Sequence, residues 1–200
     1  YISVMNENYT HPPMPEGVRD GIIEGMYLFK EGADADLRVQ LLGSGAILRE
    51  VIAAADILRD DWGVESDIYS VTSFNELGRN GADVERYNLL HPDEEPRVPV
   101  ITNHLKDRSG PVIAATDYIR AYAEQVRGHI PHTYRVLGTD GYGRSDTRLK
   151  LREFFEVNRH YVVIAALKSL ADDGKIANEQ VGQAIKQYGI DTEKPNPVEV

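Results

Sequence analysis

Along the chain, apolar runs rich in β-branched residues alternate with segments whose apolar positions recur every three or four residues. Residues 1–5 read as a first strand. In MPEGVRDGIIEGMYLF (14–29), Val18, Ile22, Met26 and Phe29 fall on one helical face, with Pro15 near the start. LRVQLLG (37–43) reads as a buried strand. The segment after it, AILREVIAAADILRDDWG, reads as a helix with Ile47, Val51, Ala55 and Leu58 along one stripe and Gly63 as its stop. SDIYSVTSF (66–74) is a strand, and NELGRNGADVERYNLL (75–90) a polar, broken helical stretch. RVPVIT (97–102) and GPVIAATD (110–117) carry strand signals around a charged turn. YIRAYAEQVRG reads as a helix, TYRVLG (133–138) as the last strand and TRLKLREFF as helical. NRHYVVIAALKSLADDG contains a strand-like YVVIAA, but its length, Asn158 as a cap and Gly174 at the end favour a helix. ANEQVGQAIKQYG closes as a short helix with Val181, Ile185 and Tyr188 on one face.

Strands alternating with helices predict the α/β class: an open, mostly parallel (mixed) sheet with helices on both faces. The two strand signals close together in 97–117 predict the antiparallel exception there. The 200 residues suit one domain, which at this size removes about 70% of the unfolded surface from water. Residues 1–15 read as a lead-in strand and loop from an upstream domain, and 158–200 as a helical tail. The opening YISVMNENYT, already strand-like and without an initial Met, implies a longer natural chain.

Charge narrows the partners. With 22 Lys+Arg against 32 Asp+Glu the formal net charge is −10, and no basic stripe offsets it, so nucleic acid is not expected. The absence of cysteine excludes disulfides, thiolate catalysis and thiolate metal sites. It also fits a reducing cytoplasm. No apolar run approaches the roughly 20 residues needed to cross a bilayer, so no membrane is expected.

Two glycine-rich loops invite a ligand. GTDGYGRSDTR (138–148) has the spacing GxxGxG, unlike the GxGxxG of dinucleotide folds, and no Gly-Lys-Ser/Thr follows to make a P-loop. Arg144, Arg148 and a helix start there could hold an anion. The mechanical reading is that Gly138, Gly141 and Gly143 permit backbone angles closed to other residues, while Ser145 or Asp146 caps the next helix. The charged residues Asp140, Arg144 and Asp146 can also face a second subunit, because arginine pairs bidentately with carboxylates. In GSGAIL (43–48) the third glycine position is Leu48 and no acidic residue ends the following strand, which favours a tight strand-to-helix turn over a pyrophosphate site.

The six histidines are scattered. His129 and His132 flank a proline and lack the geometry of HExxH, so no metal site is expected. The loop NENYTHPPMPEG is proline-stiffened and polar, and Asn6, Glu7, Asn8 and His11 are its candidates for lining a cleft. A plain connecting loop is the alternative. No GxSxG elbow marks a serine nucleophile, and the carboxylates at 60–61, 93–95 and 172–173 read as solvated faces.

NENYTHPPMPEG, VQLLGSGAILREV, DIYSVTSFNELGRNG, ERYNLLHP, PVIAATDYIRAYAEQVR and YRVLGTDGYGRSDTR together resemble the carboxyl-terminal, transketolase-like domain of the homodimeric pyruvate dehydrogenase component of bacterial pyruvate dehydrogenase complexes. The resemblance runs over essentially all 200 residues, through the closing KPNPVEV, and GTDGYGRSD is its most specific piece. It implies a cytoplasmic, homodimeric, acetyl-transferring pyruvate dehydrogenase. Such an enzyme decarboxylates pyruvate on thiamine diphosphate with Mg2+ and reductively acetylates the lipoyl group of the dihydrolipoyl acetyltransferase core. It also implies that the upstream domains bind the cofactor. GTDGYG contains a GxDG but no metal-ligating asparagine follows at the family's distance, so no catalytic, cofactor-binding or metal residue is carried over. The domain is expected to scaffold the dimer and to be inactive alone. The alternatives are a docking module for the acetyltransferase core and a stand-alone anion- or nucleotide-binding α/β domain.

Overall fold

A computed structural model describes residues 8–200; the strand expected over 1–5, and Asn6 and Glu7, lie outside the described residues. Five strands form one sheet in the order β1-β3-β2-β4-β5. They are β1 (Met26–Lys30), β2 (Arg38–Ser44), β3 (Glu65–Val71), β4 (Val112–Ala115) and β5 (Tyr134–Leu137). All neighbours are parallel except β1, which runs antiparallel to β3 with Met26 opposite Val71.

Alternation along the strands divides the core into two layers. Val39 and Leu41 of β2 and Ile113 and Ala115 of β4 meet α2 (Leu48–Trp62), α7 (Arg159–Asp172) and α8 (Asn178–Gln187) on one face. Leu42, Val112 and Ala114 meet α3 (Phe74–Leu90), α4 (Val100–Leu105) and α5 (Ala121–Glu124) on the other. The expected mixed sheet with helices on both faces is present.

The antiparallel strand, however, is not in 97–117. The segment 14–29 is expected to be one helix, but α1 (Arg19–Glu24) stops after a turn and a half at Gly25, whose φ is +110°. A Cβ at Gly25 would lie 2.7 Å from the Ser73 carbonyl, so a side chain is excluded there. Beyond it, Met26 and Leu28 turn to one core and Phe29 to the other, a two-residue period that an edge strand satisfies. Residues 97–102, expected as a strand, instead enter α4 behind Pro99. Ile101 and Leu105, one turn apart, carry its buried face, and Asn80 Oδ1 accepts from Val100 N at 2.9 Å. α3 is continuous, not broken: Ser73 caps it, and Gly78 and Gly81 sit where Gln125 and His129 press against the helix. The helix expected over 118–128 is α-helical only at Ala121–Glu124, with a 3-10 turn at Arg127–His129.

The amino ends of the parallel strands are locked by charge. Buried Asp67 of β3 accepts from Arg38 Nη2 at 2.8 Å and from Gly32 N at 2.9 Å, and Arg108 lies 3.5 Å from its second oxygen. Arg108 also pairs with Glu31, so one carboxylate ties four segments together.

Candidate functional site

The carboxyl ends of the strands are built differently. From β2 the chain moves to β3 on one side, then crosses back to β4 on the other, so β2 and β4 diverge at a topological switch point. Crevices outside the strands at such points are where open α/β sheets place ligands. Here Ser44 ends β2, and its Oγ lies 2.8 Å from the Tyr118 hydroxyl beyond β4. Gly45, with φ +57°, turns the chain into a 3-10 turn at Gly45–Ile47 that leads into α2. A Cβ on Gly43 would lie 2.8 Å from the Leu48 backbone, so GSGAIL is the tight strand-to-helix turn that its spacing implies.

Next to this turn is a cleft of about 1190 Å3, walled by residues 8–14, with Ser44, Arg49, Ser70 and Thr72 among its polar groups and Tyr27 and Phe29 among its apolar ones. Asn8 and His11 line it. Arg49 reaches up to donate to the Thr10 carbonyl at 2.8 Å, with its guanidinium 4.7 Å from the Tyr9 ring centre.

The 138–148 loop lies on the far side of the same edge. Only Gly141 of its three glycines has a positive φ, +88°. Gly138 answers to space instead, since a Cβ there would sit 2.6 Å from Arg120 Cγ and 2.9 Å from the Tyr118 carbonyl. Gly143 faces nothing within 4 Å. Thus the expectation of special backbone angles at all three holds at one. Asp140 accepts from both N and Nε of Arg120, at 2.9 and 2.6 Å. Burial pushes its carboxyl up, but the Arg120 hydrogen bonds and charge outweigh this and hold it below its ordinary value. The cap of α6 (Arg148–Phe154) is Thr147, which accepts from Lys150 N, and not Ser145 or Asp146. Asp146 accepts from Thr147 N, a bond that fixes the loop one step earlier. Tyr142 at the loop tip is 86% exposed. Beneath the tip a hollow of about 330 Å3 separates the loop from α6, edged by Arg144, Arg148, Arg152 and Asp117.

Sequence reasoning missed the buried carboxylate of Glu50. Its side chain is 7% exposed, and its oxygens accept from Arg159 Nε at 3.0 Å, Arg159 Nη2 at 3.2 Å, Arg159 N at 3.0 Å and Arg152 Nη1 at 3.1 Å. Burial raises its pKa, yet the Arg159 hydrogen bonds and charge, with Arg152 behind them, bring it below the ordinary carboxylate value. A signal was available: position 50 is three after Ile47 and four before Ala54, on the apolar stripe itself.

The histidines and surface carboxylates have structural duties. His129 packs against Gly81, His132 Nε2 lies 3.0 Å from the Leu105 carbonyl, and His160 stacks on Tyr188. Asp61 accepts from the Tyr188 hydroxyl, and Asp172 pairs with Arg135 and Lys168. Among the described residues no group of three His, Asp or Glu side chains is placed to hold a metal ion.

Strand order, the lone antiparallel edge and the two loops at the carboxyl ends define an open α/β domain of the transketolase carboxyl-terminal type. Residues 25–158 match the family described as the transketolase-like TK C-terminal domain, and the chain belongs to that family. It is 60% identical over 202 aligned residues to the pyruvate dehydrogenase E1 component of Cupriavidus necator, covering 100% of this chain and 23% of that protein. Its identity to the same-named component of Pseudomonas aeruginosa is 57%, covering 100% and 23%. For that of Escherichia coli K12 it is 54%, covering 98% and 22%. The chain thus spans under a quarter of the length of these curated relatives. Solved structures share the fold: a transketolase from Pichia stipitis (TM-score 0.54, 14% identity, 82% of this chain and 21% of that one) and the transketolase from Leishmania mexicana (TM-score 0.53, 16% identity, 80% and 20%).

Proposed function

We propose that this chain is the carboxyl-terminal domain of a pyruvate dehydrogenase E1 component. The whole enzyme, cytoplasmic and homodimeric, decarboxylates pyruvate with thiamine diphosphate and Mg2+ and passes the acetyl unit to the lipoyl group of a dihydrolipoyl acetyltransferase core. The observation that carries this reading is the 60% identity to the Cupriavidus necator component over the full chain, including the tail beyond residue 158 where the family match ends. The donor groups described here do not fit a magnesium–diphosphate pair: the hollow under the 138–148 loop offers three arginines and a single carboxylate. On this reading the upstream domains hold the cofactor, and no chemical step is assigned to this domain.

Its task is to hold two protomers in register, since small displacements of reacting groups at a shared site cost large factors in rate. The loops at 6–17 and 138–148 are the surfaces assigned to the neighbouring domain or subunit, with Asp140, Arg144 and Asp146 as polar contacts. The exposed Tyr142 and Leu149 supply apolar area to the same face. Gly141 tests the assignment. A Cβ there meets the Pro197 carbonyl at 3.0 Å, and the φ of +88° disfavours any side chain. In the full-length protein, Gly141→Val is expected to raise the dimer dissociation constant at least tenfold by sedimentation velocity. The dimer that remains keeps its thiamine diphosphate affinity. A fully dimeric variant with weakened cofactor binding would overturn the scaffold role.

A further inference from the structure

The last turn of α3 exposes two leucines that its own packing does not use. Its buried positions, Phe74, Leu77, Gly81 and Val84, step by three and four, and the stripe continues through the half-buried Asn88 and His91. Leu89, 77% exposed, and Leu90 fall off that stripe, and Val98, at the end of the loop that follows, is exposed as well. Exposed apolar side chains gathered inside a polar rim mark contact surfaces.

Their place in the fold sets them apart from the contacts already assigned. α3 starts beyond the carboxyl end of β3, and its 17 residues carry the chain about 25 Å toward the other margin of the sheet. Gln125 beside Gly78 and His129 beside Gly81 trace that course, because this segment leads from β4 to the start of β5. The leucines therefore stand away from residues 8–14 and from the 138–148 loop.

The loop beside them is held in shape. Asn88 Oδ1 accepts from Arg97 N at 2.8 Å and its Nδ2 donates to the Arg97 carbonyl at 2.9 Å, which ties the two ends together and brings Val98 back to the last turn of α3. His91 stacks on the Tyr87 ring with 4.1 Å between centres, the Arg97 guanidinium lies over the same ring, and the Tyr87 hydroxyl donates to Glu94. A partner meets a surface already ordered, so little conformational freedom is lost on binding.

Charge decides what that partner is. Along 83–97, Asp83, Glu85, Asp93, Glu94 and Glu95 stand against Arg86 and Arg97 alone. Asp93 and Glu95 are exposed and have no hydrogen-bond or ion-pair partner among the described residues. Carboxylates at a helix carboxyl terminus oppose the helix dipole, so they add nothing to the stability of α3. A second copy presenting the same face is repelled by like charge, and the complementary partner brings cations.

We propose that Leu89, Leu90 and Val98, with Asp93 and Glu95 beside them, form a docking surface for a basic amphipathic segment of another protein. Its apolar side chains seat on the leucines, and its lysines or arginines meet the two carboxylates. The surface does not depend on the chemistry proposed for the whole enzyme.

The test is fluorescence anisotropy with the full-length protein and a fluorescein-labelled helical peptide of leucine and lysine, against its counterpart with glutamate in place of lysine. The lysine peptide is expected to bind saturably, and the glutamate peptide at least tenfold more weakly. Leu89→Ser with Leu90→Ser should weaken the lysine peptide at least fivefold, and Asp93→Asn with Glu95→Gln should do the same. Asp36→Asn with Glu179→Gln removes as much charge elsewhere and should change binding less than twofold. Raising the salt from about 0.05 to 0.3 M should weaken wild-type binding several-fold, a readout that needs no variant. Absent binding, equal binding of the two peptides, indifference to salt or to the leucine substitutions, or an equal loss in the Asp36/Glu179 control overturns the proposal.

Discussion

Glu50 holds the helical tail to the domain, and its removal should loosen that junction selectively. Its carboxylate accepts four hydrogen bonds, three from Arg159 and one from Arg152, at 3.0–3.2 Å. Glu50→Ala leaves two guanidiniums facing a void. Losing one partner of a buried ion pair costs about 3–5 kcal/mol. Arg159 keeps 45% of its side chain exposed and can turn to water, so the lower end, about 3 kcal/mol, applies. With every 1.4 kcal/mol worth a factor of ten, local opening of the junction should become about 100-fold more frequent. The assay is hydrogen exchange of the full-length protein at the amides of 148–172, against those of α3 on the opposite face as an internal control. Acid should reproduce the effect. Because the folded pKa lies below the ordinary 4.5, the carboxylate's contribution is complete above 4.5 and is lost as pH falls through the lower folded value. Wild-type protection over 148–172 should therefore drop below pH 4.5, after correction for intrinsic rates, and the Glu50→Ala variant should lack that step. Unchanged exchange in 148–172, or an equal rise in α3, would refute the reasoning.

Two further substitutions probe the fold. Gly81→Ala drives a methyl to within 2.1 Å of the His129 ring, which is wedged between helices, and should cost roughly 1–3 kcal/mol in denaturant unfolding. Pairing it with His129→Ala should recover most of that loss, and additive losses would show that the two do not touch. Asn158→Ala removes the acceptor for His160 N and Tyr161 N and should destabilise α7 by about 1 kcal/mol, read as faster exchange of those two amides.

How far the chain could be read from its residues depended on whether one element decides its own fate. β2, α2 and β3 were legible because an apolar strand, an apolar stripe and a Gly63 stop agree locally. α7 was legible through Asn158 despite its strand-like YVVIAA. The failures are places where a distant contact decides. Whether Met26–Lys30 continues a helix or starts a strand turns on Ser73, which leaves no room for a side chain at residue 25. RVPVIT looks extended until Ile101 and Leu105 are both given a core to fill, one turn apart. Glu50 went unnoticed because its two arginines lie over a hundred residues away. At the carboxyl edge the turn chemistry of GSGAIL was readable, whereas the two hollows beside it exist only once separate segments meet.

The knot of charge around Asp67 makes the sheet a cantilever. With Gly32, Arg38 and Arg108 bolted to one carboxylate, the strands are fixed at their roots, and any bending grows along their length toward the free tips. Arg49 and Tyr142 stand at the opposite margin, so the cleft and the 138–148 loop share the end of the sheet that this carboxylate does not tie down.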